Sequence, residues 1–145
     1  MKDFMFIVVP IIGAILCQVI KFVAESIKEK KLNFERLFNG AGGIPSTHTT
    51  LVFCLVFTIL FNEGITSTFA VSLVLAIVVS YDAMGVRFES GLQAEAINKL
   101  IKAVFNKNNK QKLVLLKEEL GHEPFEVLTG IAFSLVVSLV SFYLI

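Results

Sequence analysis

Gly40-Ala41-Gly42-Gly43-Ile44-Pro45-Ser46-Thr47-His48 opens a segment that turns apolar at Leu51 and stays so, Thr58 apart, through Phe61. A glycine-rich turn leads into a helix at Ser46, a favoured N-cap residue. The helix ends in the tight turn Asn62-Glu63-Gly64. From Thr47 to Phe61 a rise of 1.5 Å per residue gives roughly 23 Å, against a bilayer hydrocarbon core of roughly 30 Å. A helix this apolar belongs in a membrane, and one this short crosses only if one end is sunk below the surface. Irregular backbone at that depth is tolerated where it lines a protein-walled or watered cavity. A polar pocket is therefore expected beside Ser46 and His48.

The flanking sequence extends the same logic. Of the 145 residues, 55% are apolar, and the net charge is only +1. Mean hydropathy is +0.77. Charges gather in two stretches and leave long runs without any, a segregation that marks a membrane protein. The expectation is one all-α integral membrane domain over residues 1–145, with about four transmembrane helices at 4–22, 47–61, 66–84 and 124–145. The first run lacks a basic flank and a clear small-residue cleavage site, so it reads as a permanent helix and not a signal peptide. Cys17 and Cys54 fall inside apolar runs and read as packing thiols.

Residues 88–120 differ in kind. Leu92, Ile97, Leu100, Ile101, Val104 and Phe105 are assigned to one helical face, with Glu89, Glu95, Asn98, Lys99 and Lys102 elsewhere. This is the pattern of an amphipathic helix lying at the membrane surface. Lys112 to Leu120 suggests a second short one, stopped by Gly121. Lysine and arginine set the orientation. Lys28, Lys30, Lys31 and Arg36 lie in the first long loop, seven more cations lie between Arg87 and Lys117, and the turn at Asn62 to Thr66 has none. Both basic loops share one side, and the positive-inside rule makes that side cytoplasmic. The chain is thus expected in the cell (inner) membrane as a multi-pass protein with both termini outside. Nothing here suggests a nucleic-acid partner. Four short spans offer little lateral burial, which leaves room for a homodimer.

Three polar clusters fall at the cytoplasmic face. The first is the turn from Gly42 to His48, whose backbone amides and helix start suit an anion. The second is Asp82 with Arg87, where Gly85 interrupts the helix and lets the guanidinium turn back toward a pocket. Its fork matches two phosphate oxygens. The third is Gly121-His122-Glu123-Pro124-Phe125-Glu126, with a carboxylate four residues after a histidine and Pro124 at the first helical position. Each alone also reads as ordinary capping or snorkelling. Together they place the chain's only two histidines at the starts of two apolar helices, with Lys21 and Arg87 at the same level. That is a constellation for phosphoryl transfer.

These stretches resemble the divergent branch of the type 2 phosphatidic acid phosphatase family, which is related to vanadium-dependent haloperoxidases. Pro45-Ser46-Thr47-His48 is similar to the family's Pro-Ser-Gly-His element. Gly85-Val86-Arg87 stands where the family has a serine–arginine pair. Glu126 stands at the family's four-residue spacing from its histidine, where the family has aspartate. Arg87 precedes His122 by thirty-five positions, with the amphipathic segment inserted between them. The resemblance implies a metal-independent hydrolase of a lipid phosphate or diphosphate, with no cofactor and no metal. It implies His122 as nucleophile, His48 as general acid and Glu126 as the residue orienting His122. Lys21, Gly43, Ser46 and Arg87 would hold phosphate, with Gln18 and Asp82 in support. The alternative is a lipid-phosphate binder or carrier without turnover.

Overall fold

The computed structural model describes residues 2–30, 43–104, 115–116 and 121–144. Five helices carry them: α1 (Lys2–Glu29), α2 (Thr47–Glu63), α3 (Ser67–Met84), α4 (Val86–Val104) and α5 (Pro124–Leu144). There is no strand among the described residues. The chain is an all-α membrane protein. Apolar windows in α1, in α5 and in the α3–α4 run are long enough to cross a bilayer, and α2 is apolar but shorter.

Local sequence explains most of the boundaries. Ser46 caps α2 by accepting from Thr49 N, and Gly64 closes it with its N–H on Leu60 O. Thr66 caps α3 in the same way, through Phe69 N. The first helix departs from expectation. It continues past Phe22 to Glu29, because Ala24, Glu25 and Lys28 are good helix formers and no breaker intervenes. At 28 residues it is about 42 Å long and must project beyond the hydrocarbon.

α2 is the central helix, packed against α1, α3 and α5. Its seam with α5 is drawn in polar contacts. Thr50 Oγ1 donates to Gly130 O at 3.4 Å, Cys54 Sγ to Ser134 O at 3.8 Å, and Ser138 Oγ to Cys54 O at 3.3 Å. Both partners advance by four along their helices, so α2 and α5 run parallel. Small residues allow this close approach. At Gly130 an added Cβ would lie 2.9 Å from Ser46 O and 3.1 Å from Thr49 Cβ. Gly130→Ala should therefore destabilise the bundle by about 1–3 kcal/mol. The check is the unfolding midpoint in detergent, and an unchanged midpoint would show that the two helices can part at little cost.

α3 and α4 meet at Gly85, whose N–H bonds Tyr81 O at 2.8 Å while its carbonyl accepts from Glu89 N at 2.9 Å. The interruption expected there is a single residue. On α4 the structure corrects two assignments. Asn98 is 1% exposed, and its side-chain amide clasps Leu116, donating to its O at 2.8 Å and accepting from its N at 2.9 Å. It lies on the buried face with Gly91 and Ala94, and not on the solvated one. Leu92 lies five positions before Ile97, hence about 140° around the helix from it, and does not share its face. The outward apolar edge is Val86, Ile97, Leu100 and Val104. Glu95 and Lys99 pair across one turn at 2.6 Å. That bond and the ammonium charge lower the Glu95 carboxyl pKa, as an exposed pair of small energetic weight. The proposed second amphipathic helix at 112–120 falls almost wholly outside the described residues, as does Phe105.

Leu100 and Val104 are 64% and 73% exposed, which suits a helix resting its apolar edge on lipid. A cysteine at position 104 should react slowly with a water-soluble maleimide in liposomes and quickly after Leu100→Asp. Fast reaction in the parent chain would mean that this edge faces water.

Candidate functional site

Parallel packing of α2 and α5 brings their starts to the same end of the bundle. The turn before α2 is then sewn to the turn before α5. Ser46 N donates to Glu126 O at 3.0 Å, and His122 N donates to Ala83 O at 2.9 Å. Those two bonds join all three polar clusters: the glycine-rich turn, the end of α3 and the start of α5.

The two imidazoles meet here. His48 and His122, seventy-four positions apart in sequence, have ring centroids 5.8 Å apart and planes inclined at 81°. His122 is 5% exposed, whereas His48 is open to the surface. A pocket of about 380 Å³ lies beside His48, lined by His48, Val78, Val79, Asp82 and Ala83. Its polar groups are His48 and Asp82, and Val78, Val79 and Ala83 make it apolar along α3. A phosphoryl group in this space would meet the His48 ring with its organic part against the valines, and the buried His122 ring, which does not line the pocket, lies 5.8 Å from His48.

The remaining expected residues fall around this centre. Gln18 Oε1 accepts from Thr47 Oγ1 at 3.1 Å, and Cys17 Sγ donates to Pro45 O at 3.1 Å, so α1 braces the turn from behind. Lys21 lays its stem along the same turn, with Cδ 3.8 Å from where a Cβ on Gly43 would stand. Asp82 is a pocket wall. Ser46 is wholly buried, and its hydroxyl accepts from Thr49 N at 3.3 Å and Thr49 Oγ1 at 3.0 Å. It holds the helix start within the fold. Arg87 enters the first turn of α4, and its side chain lies outside what is described.

Glu126 behaves differently from the orienting role expected of it. Its Oε1 accepts from Gly43 N at 2.8 Å and its Oε2 from Glu123 N at 3.3 Å. The carboxylate is turned to backbone amides and not to the His122 ring. Sequence spacing alone does not reveal this, since the Gly43 partner is a backbone group eighty-three positions away. The signal the sequence offered was Gly43 itself, since glycine permits the φ of +90° found there, a conformation that L side chains avoid.

The divergent PAP2 family profile matches residues 2–137. A curated relative, the uncharacterized membrane protein YuiD of Bacillus subtilis (strain 168), is 39% identical over 86% of this chain and 87% of its own length. No solved structure matches.

Proposed function

This chain belongs to the divergent PAP2 family, and on that premise we propose that it is a membrane phosphatase of a lipid phosphate or diphosphate. The observation that carries the reading is the pairing of the two histidines at 5.8 Å, one of which, His48, lines a pocket with Asp82 and the apolar residues Val78, Val79 and Ala83. In this mechanism a ring nitrogen of His122 attacks phosphorus and the bond to the leaving oxygen breaks. His48 gives that oxygen its proton. Water then attacks the phosphohistidine, releasing phosphate and restoring the imidazole. Lys21 and Arg87 supply positive potential for the phosphate oxygens, whereas the Gly43 and Ser46 amides are taken up by Glu126. Asp82 and Gln18 support the pocket and the turn.

A lipid substrate suits this arrangement. Val78 and Val79 are continuous with a helix face turned to the bilayer, so a chain in the leaflet can lie along α3 while its head reaches the rings. The test is phosphate release by the purified protein across isoprenoid and glycerolipid phosphates, with His122→Ala as control. Release that depends on His122 supports the reading. Binding without release favours a lipid-phosphate carrier, a second reading that gains weight from the Glu126 carboxylate's turn away from His122.

We place the site on the cytoplasmic face, from the one-sided lysines and arginines. A cysteine at Asn62 should then label from outside intact cells, and one at Asn108 only after permeabilisation. Labelling of position 108 from outside would reverse the orientation.

A further inference from the structure

We infer that Glu126 is a positioning residue that acts through the glycine-rich turn. Its carboxylate holds Gly43 N at 2.8 Å, and its backbone carbonyl holds Ser46 N at 3.0 Å. One residue therefore pins both ends of the segment 43–46. The same residue sits in the first turn of α5, four positions after His122. The turn that delivers His48 and the loop that delivers His122 are thus fixed to each other through Glu126.

The chemistry of the contact favours a fixed device. A carboxylate accepting from a backbone N–H makes a charge-assisted bond, stronger than a neutral one. Gly43 at φ +90° has the conformational freedom of glycine and needs an external partner to stay in place. Lys21 packs its stem on the same glycine, so the bond also sets where that cation's chain runs. Both carboxylate oxygens are engaged with amides. The spacing of the two rings then depends on a latch whose essential feature is an acceptor oxygen at the right reach.

That feature separates the latch from the orienting role. Glutamine keeps the reach and one acceptor oxygen for Gly43 N, while losing the charge and the acceptor of the longer Glu123 contact. Aspartate keeps the charge and loses a methylene of reach, and it is the residue that the resembled family carries at this spacing. A latch therefore ranks Glu126→Gln above Glu126→Asp. A carboxylate that supports the His122 imidazolium ranks them the other way.

The experiment compares wild type, Glu126→Gln, Glu126→Asp and Glu126→Ala in detergent. Two measurements are made: amide hydrogen exchange over residues 43–48, and phosphate release with its pH profile. Exchange should rise about tenfold or more in the Asp and Ala variants, as the bond to Gly43 N is lost, and rise clearly less in Gln, which keeps one acceptor oxygen in reach of Gly43 N. Turnover should fall less in Gln than in Asp, with the Gln variant keeping the wild-type pH profile. If Asp equals or exceeds Gln in turnover, or if Gln exchanges as fast as Ala, the latch is overturned. Should Ala fail to fold, the Gln–Asp ranking still decides. The turnover arm rests on the phosphatase reading. If wild type releases no phosphate, that reading fails while the exchange arm alone judges the latch.

Discussion

His122→Ala is expected to abolish phosphate release from every substrate, activated or not. His122 is 5% exposed and fixed by its own backbone, with N–H on Ala83 O at 2.9 Å. A nucleophile held this firmly benefits from proximity, which is worth about 7–11 kcal/mol where geometry is right. Alanine leaves a small void next to His48 that water can enter, but water so placed lacks a ring nitrogen and has no route to a phosphohistidine. The loss should therefore not depend on how good the leaving group is. Two measurements check it. One is turnover on a lipid phosphate and on an aryl phosphate, and the other is acid-labile, base-stable phosphate trapped on the protein during turnover. Residual release by His122→Ala close to wild type on either substrate would end this mechanism.

Much of the fold could be read before any coordinates, for identifiable reasons. The start of α2 is written locally: glycines for the turn, Pro45 to forbid an earlier helix, Ser46 to cap it. The common level of the three polar clusters was also accessible. Spans of bilayer length force alternate ends together, and the lysines say which ends. The apolar runs around Val71 to Val79 and Leu128 to Val140 left no other class of fold. What escaped the sequence depends on tertiary partners. Asn98 is polar and was assigned to the solvated side, yet it shares a helical face with Gly91 and Ala94. Such a stripe of small residues allows close backbone approach, and a buried amide there needs backbone partners, which Leu116 supplies. The length of α1 escaped because charge was read as loop, whereas charged residues are good helix formers. The roles of Ser46 and Glu126 were half legible. Their positions followed from the motif, but the atoms they bond belong to backbone, and backbone leaves no residue-type signature.

The proposed acid gives a sharper test than the proposed nucleophile, because its effect depends on the substrate. His48 is at the second position of α2, two residues after the Ser46 cap. The positive end of the helix dipole points there. A developing negative charge on the leaving oxygen is stabilised at that end, and His48 is the open member of the pair, reaching the pocket that Val78 and Val79 line. A lipid alkoxide is a poor leaving group and needs the proton as the bond breaks. An aryl oxide is already a stable anion and needs it much less. His48→Ala should thus lower turnover of a lipid monophosphate by roughly 10²–10⁴-fold, the usual worth of general acid catalysis. On an activated aryl phosphate it should retain a substantial fraction of wild-type rate. Plotting rate against leaving-group pKa for wild type and variant reads this directly, as a steeper slope for the variant. Parallel lines would remove His48 from proton transfer and leave it as a wall of the pocket. Equal residual rates for His48→Ala and His122→Ala on the activated substrate would reject the division of labour between the two rings. The contrast needs no knowledge of which lipid the protein meets in the membrane, since it follows from which ring lies open to the leaving group and which is buried behind it.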